Sequence, residues 1–103
     1  MGKFNVAYST ASENQYFSHL GFLNNVSKEA VKRLIVAFEK ADKSLSGNPY
    51  AYPLFYRDYR RLTVSNRYIM MYKVIGQEVY VEKILDMRTE EYNGIVNEID
   101  DEG

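Results

Sequence analysis

The spacing of apolar residues changes at one place in this chain, and that change sets the fold class. Before Gly47, Val31, Leu34, Ile35, Phe38 and Leu45 recur at helical spacing. After Pro49 the pattern alternates, as in Tyr68, Met70, Tyr72 and Val74. Gly47 suits the position just past a helix, and Pro49 cannot continue one. A helical first half and a stranded second half make an α+β domain.

The helical half is expected as a hairpin from about Ser12 to Ser46. Tyr16, Leu20 and Leu23 follow helical spacing, and Asn24 and Asn25 end that run. Ser27 is placed to cap a second helix, with Glu29 in its first turn. Ahead of the hairpin, Phe4, Val6 and Tyr8 alternate with polar residues and predict a strand over 3–9. In the second half, "YRRLTV" and "YIMMYKVI" flank a turn at Ser65-Asn66-Arg67. Gly76 marks another turn, and "EVYVEKIL" is the last strand of the meander. "TEEYNGIVNEI" reads as a short closing helix. The predicted order is β-α-α-β-β-β plus that helix. Two helices cover one sheet face and the other stays open, shared by Arg67, Ile69, Met71 and Lys73. Leu62, Val64, Met70, Tyr72, Val79 and Val81 are expected under Val31, Leu34, Ile35 and Phe38.

With 103 residues the chain suits one domain, read as 1–97, followed by an acidic tail at 98–103. The tail is read as disordered or as folding back on a basic sheet face, with solubility its plainest role. The absence of cysteine removes disulfides, thiolate nucleophiles and cysteine-bound zinc. No apolar run has the length of a membrane span, which needs about 18 residues. The N-terminus has no apolar signal core. A soluble cytoplasmic protein is expected. His19 is the one histidine, so a two-histidine metal site is impossible. Asp86, Glu90 and Glu91 read as a solvated helix start rather than as metal ligands. No metal and no cofactor is expected.

The formal charge is −1, yet Arg57, Arg60, Arg61, Arg67 and Lys73 face only Asp58 between positions 57 and 73. A local basic patch meets phosphate even on a near-neutral protein. Tyr50, Tyr52, Tyr56 and Tyr59 sit among these arginines. They fit either a stacking surface for nucleic acid or a strand edge with buried rings and wet hydroxyls.

The order of elements, the segment Tyr59-Arg60-Arg61-Leu62-Thr63-Val64, the run Tyr68 to Val74, and the closing Arg88 and Tyr92 together resemble the RelE/ParE superfamily of type II toxin–antitoxin toxins. That resemblance covers most of the chain. It implies a small antitoxin partner and one of two activities. The RelE-like branch is an mRNA interferase that cuts messenger on the ribosome and inhibits translation. The ParE-like branch inhibits DNA gyrase without enzymatic chemistry, and ParE-type systems are linked to plasmid stabilization. A degenerate member would only bind a partner. For the nuclease, the resemblance makes Arg61, Arg67, Arg88 and Tyr92 the catalytic set, with Arg57, Tyr59, Arg60 and Lys73 binding RNA or partner. Cleavage by a ribose 2′-hydroxyl needs a proton acceptor, a donor for the leaving oxygen and cations around the phosphorane. Arginine supplies the cations. Ile69 stands where many RelE-like nucleases carry arginine. Arg67, two positions earlier, is the expected substitute. For Arg88 the competing reading is a salt bridge to Asp86 or Glu91. Arg60 or Arg61 is expected to join Arg67 and Arg88 in one basic surface with Tyr92 at its edge.

Overall fold

A computed structural model describes residues 3–102. The elements are β1 (Asn5–Tyr8), α1 (Thr10–Asn24), α2 (Lys28–Gly47), β2 (Leu54–Tyr56), β3 (Tyr59–Val64), β4 (Tyr68–Ile75), β5 (Glu78–Asp86) and α3 (Glu90–Glu102). A 3-10 turn at Pro49–Ala51 links α2 to β2. The strands form one sheet in the order β1-β5-β4-β3-β2. The α+β class and the helical hairpin agree with the sequence reading. Two pairings were not anticipated there: β1 lies parallel to β5, and the short β2 adds an edge beside β3.

Local chemistry explains the boundaries. Ser9 caps α1 by accepting from the Ser12 amide, and Ser27 caps α2 by accepting from the Ala30 amide. Ser65 and Asn66 both take φ +54°, and the Arg67 amide donates to the Val64 carbonyl. This left-handed pair fits a two-residue hairpin whose twist matches the flanking strands. Gly76, at φ +60°, opens the β4–β5 turn.

Under the two helices, Leu34, Phe38, Ala41 and Leu45 pack on Val64, Tyr68, Met70, Tyr72, Val79, Val81 and Ile84. The expected register therefore holds, with Leu62, Val31 and Ile35 at the half-buried margin. β1 pairs only with Glu78 to Val81. Beyond it, α1 takes over the exposed edge of β5. The Ser9 hydroxyl donates to the Glu82 carbonyl, the Gln15 carbonyl oxygen accepts from the Ile84 amide, and His19 Nε2 meets the Ile84 carbonyl at 2.8 Å. Side chains thus satisfy a strand edge that would otherwise invite pairing.

The second sheet face is not open as expected. Ile69, Met71 and Leu85 are buried, yet they alternate with the two-helix core and so lie on the opposite side. α3 crosses that side. Glu91 pairs with Lys83 of β5, Tyr92 stacks on Phe55 of β2, and Glu98 pairs with Arg57. Residues 98–102, set apart in the sequence reading as part of an acidic tail, extend this helix; residue 103 lies outside the described residues.

Candidate functional site

Asp86 ends β5 directly opposite Tyr68. It is buried, and its carboxylate is fully engaged. Oδ2 accepts from Arg67 Nε at 3.2 Å and Nη2 at 2.9 Å. Oδ1 accepts from the Arg88 backbone amide at 2.9 Å and lies 3.5 Å from Arg88 Nε. The Asp86 carbonyl accepts from the Thr89 hydroxyl and amide, which turns the chain into α3. Arg67 is further held between aromatic rings, 5.7 Å from the Phe22 centroid and 5.0 Å from that of Tyr68. One carboxylate therefore positions two guanidinium groups at the end of the sheet. The competing reading of Arg88, an ion pair to Asp86, is realised.

Arg61 lies elsewhere. By register, Arg61, Met71 and Lys83 form a row across β3, β4 and β5 on the α3 side. The Arg61 guanidinium sits 5.6 Å from the Phe55 ring, and Phe55 stacks on Tyr92 at 6.2 Å. Lys73 lies on the same side with its ammonium 5.2 Å from the Tyr59 ring. Arg60 points to the opposite face, where it donates to the Tyr52 carbonyl at 2.7 Å and lies over Tyr50. Arg57, in a left-handed turn conformation, pairs with Glu98 at 3.1 Å. Hydrogen bonds from Tyr56 and Arg57 hold the Glu98 carboxyl below its ordinary range.

The expected single basic surface thus resolves into two. Arg67 and Arg88 share Asp86 at the sheet end, Arg61 and Tyr92 flank Phe55 under α3, and Arg60 joins neither. Arg67 does not share a face with Ile69 as expected; it leans onto Phe22 of α1. Sequence reasoning passed over Asp86 as an organising residue, along with Phe22, Phe55, Lys83 and Glu98. Asp86 was noticed for its acidic neighbours and as one possible partner of Arg88, not as the group that also holds Arg67. Phe22 carries a usable signal, a large ring outside the inward spacing of Tyr16, Leu20 and Leu23. Among the described residues no three acidic or histidine side chains gather to hold a metal ion. Nor is any helix among them long and apolar enough to cross a membrane.

No family model and no curated protein matches the chain. Among solved structures, it is similar to a chain of the chromosomal ParDE TA system from P. aeruginosa, with TM-score 0.68 and 12% identity over 82% of this chain and 96% of that one. The fold is of the RelE/ParE type.

Proposed function

We propose that the chain is the toxin of a toxin–antitoxin pair, restrained by a cognate antitoxin, and that it acts by gripping a target rather than by cutting RNA. DNA gyrase is the target in this reading. The observation that carries it is the separation of the four residues expected to perform cleavage. Arg67 and Arg88 are tied to a buried carboxylate, while Arg61 and Tyr92 are stacked on Phe55 beneath α3. The fold likeness to the ParDE chain supports the toxin part of this reading. A concavity of about 430 Å³ between α1 and α2, floored by Tyr16, Phe17 and Phe38 with Glu13, Glu39 and Asp42 around it, offers the antitoxin an apolar seat.

A second reading, ribosome-dependent cleavage of messenger, draws support from Arg61, Lys73 and Lys83 sharing one sheet face. It requires α3 to lift from that face. The two are separated with purified protein. The gripping reading expects inhibited supercoiling by gyrase and intact messenger on programmed ribosomes. Active gyrase together with cut messenger overturns it. Failure of expression without an antitoxin to arrest growth overturns the toxin reading itself.

A further inference from the structure

Beside the Asp86 cluster, on the side of α1, lies a pocket of about 430 Å³ lined by His19, Phe22, Arg67, Asp86, Arg88 and Thr89. We propose that this pocket binds a nucleoside phosphate, with the phosphate on Arg88 and Arg67 and the base against the outer face of Phe22. The inference does not depend on the toxin reading.

Charge is the first argument. Two guanidinium groups and one carboxylate line the pocket, and no other acidic side chain does. The carboxylate is spent. Both Asp86 oxygens already accept from the two arginines, so Asp86 fixes the cations without filling the space in front of them. Arg67 uses Nε and Nη2 on Asp86, and Arg88 uses its amide and Nε. Arg67 Nη1 and both Nη atoms of Arg88 take no part in these contacts. Fork-shaped donors held by a buried partner and left with outward N–H groups match phosphate oxygens, and little ordering cost remains when the anion arrives.

Shape is the second argument. Phe22 is 57% exposed, although it is one of the larger apolar side chains of α1. The Arg67 guanidinium lies against its ring, which leaves the remaining aromatic surface for a second planar group. An aromatic ring within reach of paired guanidinium groups is the arrangement that stacks a base while its phosphate is held. An acidic peptide would satisfy the arginines but would leave the ring without a planar partner. The volume lies within the roughly 300–1,000 Å³ of small-ligand sites. His19 closes the inner wall. Its Nε2 is committed to the Ile84 carbonyl and its ring packs 4.8 Å from Tyr68, so that wall is rigid.

The test is titration calorimetry of the full chain with adenosine 5′-monophosphate, adenosine, a 5′-phosphorylated trinucleotide and a glutamate-rich peptide. Saturable binding of the monophosphate or the phosphorylated trinucleotide is expected, at least tenfold tighter than adenosine. Arg88→Gln should weaken it at least tenfold, Phe22→Ser severalfold, and Lys32→Gln not at all; circular dichroism checks that each variant folds. A trinucleotide that binds more than tenfold tighter than the monophosphate identifies the end of a nucleic acid as the source. Equal affinities identify the free nucleotide. The proposal is overturned if neither phosphate ligand saturates at millimolar concentration or if adenosine binds as well. It is also overturned if Arg88→Gln is without effect, or if the acidic peptide binds more tightly in an Arg88-dependent manner.

Discussion

Tyr92 of α3 stacks on Phe55 of β2, with ring centroids 6.2 Å apart and planes 11° from parallel. These two residues join the last helix to the far edge of the sheet, across strands β3 and β4. The stack is the aromatic anchor of α3, since Lys83–Glu91 and Arg57–Glu98 are both exposed ion pairs. Pairs of that kind contribute little on their own.

Tyr92→Ala should therefore loosen α3 while the two-helix core stays intact. Aromatic pairs contribute about 0.5–1.5 kcal/mol beyond their area. Hydrogen exchange is the measurement. Amides of α3 should exchange faster in the variant, and those of β4 should keep their protection. Unchanged exchange across α3 would mean that the stack does not hold the helix.

Acid should release the end of the same helix. The Glu98 carboxyl is held below its ordinary range by hydrogen bonds from Tyr56 and Arg57. A depressed folded-state value means that docking is fully supported above the ordinary carboxylate range and lost as pH falls through the lowered value. Exchange of α3 amides should thus be flat, after correction for intrinsic rates, at neutral pH and rise on acidification. Glu98→Gln should remove much of that rise. A rise centred near neutral pH would contradict this assignment.

Two buried tyrosines on the same face of β4 should respond with opposite signs. The Tyr72 hydroxyl donates to the Pro49 carbonyl at 2.7 Å. Tyr72→Phe leaves that carbonyl unpaired and should cost about 1–3 kcal/mol in urea unfolding. The Tyr68 hydroxyl is buried and, among the described residues, has no hydrogen-bond partner. Tyr68→Phe removes a desolvated polar group and should be neutral or stabilising.

The main core was legible in the sequence because one-sided burial writes itself as periodicity. Leu34 and Phe38 on α2 and Met70, Tyr72, Val79 and Val81 on the sheet all fall where alternation placed them. The second face was not legible. Ile69 and Met71 are as apolar as their neighbours, but Arg67 and Lys73, read as sharing their face, made that side look wet. What buries it is a helix rich in glutamate, whose attachment depends on two rings far apart in sequence, Phe55 and Tyr92. The site failed for a related reason. Proximity of Arg60 and Arg61 to Arg67 along the chain said nothing of sides, and adjacent residues of a strand face opposite ways. Nor does composition reveal that one carboxylate, Asp86, would gather two arginines from either end of the β4–β5 hairpin.

Asp86 provides the last prediction. Its burial is tolerated because every oxygen of its side chain is engaged. Removing the carboxylate by Asp86→Ala leaves Arg67 half-buried with no counter-charge and the Arg88 amide without its acceptor. Breaking a fully buried ion pair costs about 3–5 kcal/mol. Arg67 retains some contact with water, so about 2–3 kcal/mol is expected, read from the urea midpoint at unchanged slope. Arg88→Ala is the contrast. Its side chain is 61% exposed, and its Nε is 3.5 Å from the carboxylate. Its backbone amide, which makes the shorter contact, survives the substitution. That variant should unfold within about 0.5 kcal/mol of the parent. A loss at Arg88 as large as that at Asp86 would make Arg88 a structural strut rather than a group held out for a ligand.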